Sequence, residues 1–288
     1  MTSAALSLQF QAEALVASLP PLLAATERVA ASVMQGSHGR RRSGPGESFW
    51  QFRRYQPGDP ASVIDWRQSA KSDPLYVRET EWAAAQTIWV WPDPSPSMRW
   101  RSRNDLPEKH DRATLLLLAL AAVLLQGGER VGVLGGDDAP GSGRSVLPIL
   151  TNAMLGLAED AGLPDIPVVR QAHIVLLSDF LMPLDALDRQ LRRWAENGVR
   201  GHLIQLLDPA EIELPYHGRL RFTGLEGEGE IEVPRAESLR EAYAKRLAAH
   251  RAALVVLAQG VGWTFLDHRT DGDPREALIS LHKTVSGR

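Results

Sequence analysis

The spacing of apolar residues changes character near Gln86. Before it, Leu15, Val16, Leu19, Leu22, Leu23, Val29 and Val33 recur at roughly helical intervals. They predict two short helices over residues 8–35, divided at Pro20-Pro21, where proline is tolerated in the first turn of the second helix. Gly36 ends this stretch, and Ser37 to Asp59 is rich in Gly, Pro and Arg without a period, a loop composition. Residues 60–85 are ambiguous apart from a short strand around Tyr76-Val77.

From Gln86 onward, short apolar runs alternate with helical patterns. Strands are predicted at 87–91, 131–134, 145–150, 173–178, 202–207 and 263–266, and helices at 110–126, 152–160, 184–196, 237–258 and 275–284. Gly127-Gly128 stops the first of these helices. The run His173 to Ser178 is apolar on both faces, as a strand covered on both sides requires. Such alternation predicts an α/β fold with a doubly wound, mostly parallel sheet over residues 86–288, preceded by an N-terminal helical and irregular segment over residues 1–85. A hairpin insertion interrupts the alternation near residues 218–234, built from Arg219 to Phe222 and Glu230 to Val233.

Composition narrows the function classes. With 44% apolar and 23% charged residues the chain can bury a sizeable core. A net charge of −3 argues against a general nucleic-acid binder or a polybasic membrane protein. There are no cysteines, which excludes disulfides, thiolate metal sites and cysteine nucleophiles. The N-terminal stretch has no basic leader region, and the longest apolar run, Leu115 to Leu125, falls short of the ~20 residues that cross a bilayer. A cytoplasmic location is the expectation. The eight histidines are scattered, with no His-Glu-x-x-His on any helix.

The chemistry gathers after the first and fourth predicted strands of the α/β region. In open parallel sheets, ligands bind beyond the carboxyl ends of strands where the strand order reverses. With the common order 3-2-1-4-5-6, Asp93 and Asp179 meet at that reversal. In Asp93-Pro94-Ser95-Pro96-Ser97 each proline biases the residue before it toward an extended conformation. Alternate residues then point the same way, so Asp93, Ser95 and Ser97 can converge on one point. One carboxylate and two hydroxyls are hard oxygen donors, suited to Mg²⁺ in the first place and Mn²⁺ in the second. An ion so sparsely neutralised attracts an acidic side chain from another protein. Each residue also has a plainer role open to it: Ser97 as a cap or loop residue, Asp179 as a loop acceptor, and Thr151 as the N-cap of helix 152–160.

Asp93-Pro-Ser-Pro-Ser97 resembles the metal ion-dependent adhesion motif, Asp-x-Ser-x-Ser, of von Willebrand factor A-like domains. The resemblance implies that Asp179 is the later aspartate of that site and Thr151 its threonine. Upstream, Arg53-x-Tyr55-x-Pro57-Gly58-Asp59 followed by Ile64-Asp65-Trp66 is the more specific signal. It resembles the family called domain of unknown function 58, most densely over residues 36–100. This second resemblance implies a cytoplasmic, von Willebrand A-like adaptor, not an enzyme, that works with a MoxR-type AAA+ ATPase in the assembly or maturation of other proteins. Two alternatives stay open: a metal-dependent hydrolase using the same site, and nucleic-acid binding through the loop at Arg40, Arg41 and Arg42. Trp66 is expected to be a packing residue.

Overall fold

In the computed structural model, α1 (Ser3–Ala17) is followed by β1 (Arg42–Gly44), β2 (Ser48–Arg54), α2 (Trp66–Ser69) and β3 (Tyr76–Trp82). Then come β4 (Thr87–Pro92), α3 (Lys109–Gln126), β5 (Arg130–Val133), α4 (Leu147–Leu155), β6 (His173–Ser178), α5 (Leu184–Glu196) and β7 (Arg200–Leu207). The chain ends with α6 (Pro209–Glu213), β8 (Leu220–Thr223), β9 (Glu230–Val233), α7 (Arg240–Gly260), β10 (Thr264–Arg269) and α8 (Pro274–Val285). The structure describes residues 3–17, 42–44, 48–56, 59, 62, 64–71, 74–82, 85–159, 162–165, 170–227 and 229–286.

Five parallel strands form the main sheet, in the order β10-β7-β6-β4-β5. The chain starts in β4, steps outward to β5, and returns past β4 to add β6, β7 and β10 on the other side. The strand order therefore reverses between β4 and β6. Alternation along each strand sends residues to two separate cores. Ile88, Val90, Val175, Leu177, Ile204 and Leu206 pack with residues of α1, α3, α4 and α8. Trp89, Trp91, Ile174, Leu176 and Leu203 pack under α5 and α7. Helices thus cover both faces of a parallel sheet, the doubly wound α/β class predicted from the pattern. In β7, Gly201 leaves room for Trp263, which stacks on Trp194 with rings 6.0 Å apart and 5° from parallel. A Cβ at Gly201 would lie 1.9 Å from the Trp263 ring.

Several elements depart from the pattern. The strand expected at 145–150 is a 3₁₀ turn, Arg144–Val146, running into α4. Leu147, Leu150, Thr151 and Met154 are buried at helical spacing, a period that also fits the apolar run Val146 to Leu150. Among the described residues, only the isolated antiparallel bridge Val131–Gly141 remains beside β5 on that edge. The first of the two helices expected over 8–35 begins earlier, as α1, and the second lies outside the described residues. Ala12 of α1 is buried in the core shared by α3 and α4. The helix consequently groups with residues 86–288, while residues 24–85 form a separate unit.

Within that smaller unit, Ser37–Asp59 is not all loop. β1 and β2 flank β3 in an antiparallel sheet, with a register irregularity between Phe49 and Gln51. The Gly, Pro and Arg content masked the β-favouring run Ser48-Phe49-Trp50-Gln51-Phe52. Asp65 caps α2, its Oδ1 accepting from the Gln68 amide at 2.8 Å. Trp66, expected to pack, is 64% exposed as the first residue of that helix. Arg40 and Arg41 lie outside the described residues, as does the side chain of Arg42. Among the described residues, no helix is long and apolar enough to cross a membrane.

Candidate functional site

The reversal between β4 and β6 places the ends of these strands side by side. Pro92 lies opposite Leu177, and the Asp93 amide donates to the Leu177 carbonyl at 2.9 Å. Asp93 and Asp179, each the first residue beyond its strand, are both buried. Asp93 closes a tight local turn: its Oδ1 accepts from the Ser95 amide at 2.9 Å, while its Oδ2 accepts from the Ser178 hydroxyl. A 3₁₀ turn, Pro96–Met98, then brings Ser97 round so that its Oγ lies 3.1 Å from Ser95 Oγ and donates to Asp179 Oδ2 at 2.8 Å. The convergence foreseen for Asp93, Ser95, Ser97 and Asp179 is present, but by another route. The segment is extended only as far as Ser95 and turns thereafter, because the Asp93 carboxylate captures a backbone amide two residues on.

Thr151 shares no hydrogen bond with this cluster among the described residues. It sits inside α4, buried, with its hydroxyl donating to the Leu147 carbonyl one turn back at 2.8 Å. Nor is it the N-cap, since α4 starts four residues before it.

Four further residues complete the site. Ser178 ends β6 and bridges two elements, giving its proton to Asp93 while accepting from the Phe180 amide at 2.7 Å. Lys109 opens α3 and is 1% exposed; its ammonium lies 2.9 Å from Asp179 Oδ2 and 2.5 Å from Glu211 Oε1. Asp208 follows β7 and Glu211 lies in α6, where together they form a reciprocal cap. Asp208 Oδ1 accepts from the Ala210 amide, and Glu211 Oε2 accepts from the Asp208 amide, both at 2.8 Å. The other Asp208 oxygen accepts from the Ser102 amide at 3.0 Å, tying down the loop that leaves Ser97.

The local sequence carried signals for three of these. Asp208-Pro209-Ala210-Glu211 has the spacing of a capping box with proline in the first turn. Lys109 starts a helix whose dipole disfavours a cation there, an oddity that calls for an anionic partner. Which carboxylates answer that need depends on the ends of two separate strands, β6 and β7.

Burial dominates the electrostatics. Loss of water raises the Asp93 carboxyl above its ordinary value, and the bonds from Ser178 and Ser95 only partly counter this, with the charge on Asp179 adding to the rise. Glu211 is raised by burial too, against the pull of Lys109. For Lys109, burial works against the charged form, but Asp179 and Glu211 outweigh it and its affinity for the proton rises. Two carboxylates, Asp179 and Glu211, thus share one ammonium, while the Asp93 carboxylate is buried with hydroxyl and amide donors only. Among the described residues, no three His, Asp or Glu side chains are grouped as a metal-binding set on their own. The oxygen donors close together are two carboxylates and the hydroxyls of Ser95 and Ser97. They fit a small hard cation in kind, and their surplus negative charge fits it in sign.

The family described as protein of unknown function DUF58 matches residues 51–253, more than two thirds of the chain. The chain belongs to this family. Relatives of this DUF58 protein include the uncharacterized proteins Rv1480 of Mycobacterium tuberculosis and Mb1516 of Mycobacterium bovis. Each is 28% identical over 293 residues, covering 95% of this chain and 90% of the relative. Similar solved structures include the conserved hypothetical protein BatB of Bacteroides thetaiotaomicron, 15% identical, covering 71% of this chain and 98% of that one, with a TM-score of 0.38. Another is the SpRpn10 VWA domain, 13% identical, covering 69% of this chain and 95% of that one, with a TM-score of 0.37.

Proposed function

We propose that this DUF58 protein is a cytoplasmic interaction module whose Asp93–Asp179 cluster holds a divalent cation and, through it, an acidic side chain of another protein. The observation that supports this best is the meeting of Asp93, Ser95, Ser97 and Asp179 beyond the carboxyl ends of adjacent parallel strands. It is the position where such sheets take their ligands. Mg²⁺ is the ion best matched to these donors, with Mn²⁺ next. Asp93, Ser95, Ser97 and Asp179 would hold it, and the ion would supply an electrophilic point for the partner's carboxylate. Thr151, which the resemblance adds to the set, donates its hydroxyl proton to the Leu147 carbonyl within α4 and keeps its oxygen lone pairs as donors.

The rim suits an acidic partner as well. The loop that leaves Ser97 carries Arg99, Arg101 and Arg103, all exposed. Such a basic loop favours approach of negative charge and speeds encounter more than it adds affinity. A MoxR-type AAA+ ATPase is the partner we propose, in an adaptor role during assembly or maturation of client proteins.

Capture of the ATPase from the same organism by immobilised wild-type protein, in Mg²⁺ and in EDTA, tests this directly. Retention in Mg²⁺, loss in EDTA and loss in Asp93→Ala are the expected results. Equal capture in all three conditions would sink the cation-dependent grip.

A further inference from the structure

A lysine at the first position of a helix, with its charge out of contact with water, faces two penalties. The helix dipole repels it, and burial strips its hydration. Lys109 bears both, and its position is fixed because α3 behind it is almost wholly buried, from Ala113 to Leu125. It is stable there only because Asp179 Oδ2 and Glu211 Oε1 accept from it at 2.9 and 2.5 Å.

Asp179 Oδ2 is also the acceptor of the Ser97 hydroxyl at 2.8 Å. A carboxylate oxygen has two lone-pair directions, and here both are in use. Among the described residues, the other Asp179 oxygen receives the Leu181 amide alone, at 3.2 Å. An ion that draws on Asp179 Oδ2 must therefore displace either Ser97 or Lys109. Displacing the ammonium also removes a like charge from beside the ion, so Lys109 is the group that must yield. Glu211 gives it somewhere to stay, since that carboxylate already holds it from the other side.

We propose that Lys109 is the site's resident cation: its ammonium neutralises Asp179 when no divalent ion is bound, and a divalent ion enters by breaking the Lys109–Asp179 pair. The proposal rests on the cation-binding role put forward above, and adds to it a built-in competitor. It makes the wild-type site a weak, readily reversible binder. It also links the ion to α6, because the Glu211 carboxylate that retains Lys109 caps that helix and the Asp208 beside it holds the rim loop at Ser102.

Mn²⁺ binding to the whole 288-residue chain, measured by calorimetry for wild type, Lys109→Met and Lys109→Gln, tests this. Thermal unfolding in Mn²⁺ and in EDTA accompanies it. Both variants should bind Mn²⁺ at least about tenfold more tightly than wild type, the least expected from removing a like charge in contact range. Adding Asp93→Ala should abolish the gain. The variants' melting temperatures should fall in EDTA and recover in Mn²⁺, while wild type responds little.

Binding of equal strength in wild type and variants would overturn the proposal alone, leaving a cation site in which Lys109 does not compete. Absence of binding in all three would overturn the proposal and the cation site together. Tighter binding by the variants, with wild-type partner capture indifferent to EDTA, would uphold the competitor and defeat the cation-dependent grip. Variants that stay unfolded even in Mn²⁺ would show that a divalent ion cannot replace the ammonium, which also overturns the proposal.

Discussion

Acid should destabilise the α/β unit through one histidine in the middle of its sheet. His202 on β7 is 5% exposed and stacks against His173 on β6, with ring centroids 5.7 Å apart. Its Nδ1 lies 2.8 Å from Thr264 Oγ1 on β10, and its Nε2 lies 3.4 Å from His173 Nδ1. Burial, then the neighbouring His173 and Arg200, lower its pKa from 6.5 to about 4. The unfolded chain consequently takes up a proton that the folded chain refuses. Stability from the neutral ring is complete above 6.5 and is lost as pH falls toward about 4. That gap amounts to about 3 kcal/mol at full extent, of which about 2 kcal/mol is gone by about pH 5. Replacing the ring with a group that does not titrate removes this term. His202→Asn keeps a polar atom near the Nδ1 position for Thr264. Urea unfolding of both proteins across this range, followed by far-ultraviolet circular dichroism, gives the two stability profiles. The wild-type profile should fall more steeply, closing on or crossing that of the variant by about 2 kcal/mol between neutral pH and about pH 5. Parallel profiles would show that His202 titrates normally in the folded protein, and would refute the assigned environment.

Substitutions at two further positions test packing and capping. Gly201→Ala drives a methyl into the Trp263 ring, from which a Cβ would be 1.9 Å away. With Trp263 held against Trp194, the cost should be about 1–3 kcal/mol or more by chemical denaturation, and an unchanged midpoint would contradict the close approach. Asp208→Ala removes the N-cap of α6 and the acceptor for Ser102, and should cost about 2 kcal/mol. Asp208→Asn keeps the cap oxygen but not the second acceptor, so about half that loss is expected; equal losses in the two variants would argue that Ser102 dominates.

Much of the α/β unit could be read from local pattern. Strand β6 and helix α5 have their predicted bounds, because the apolar run Ile174 to Leu177 and an amphipathic stripe leave little latitude. The errors arose where one short pattern fits two periods. Val146 to Leu150 is apolar enough for a strand, yet packing against α1, α3 and β5 makes it the start of a helix. In the smaller unit, a few strand-forming aromatics were outweighed by Gly, Pro and Arg until pairing with β3 organised them.

The candidate site divides along the same line. Asp93-x-Ser-x-Ser is a local motif, and the reversal expected between the first and fourth strands was enough to place Asp179 beside it. Thr151 was beyond that logic, since its place depends on where a helix starts. So were Lys109 and Glu211, which come from a helix start and a strand-end turn far apart in the chain and meet only across the top of the sheet. A linear sequence determines which residues carry charge and which segments can be strands or helices. Which charges are stripped of water, and which opposite charge then compensates them, is decided by the folded arrangement alone, because both burial and pairing depend on distances between segments that the sequence does not list.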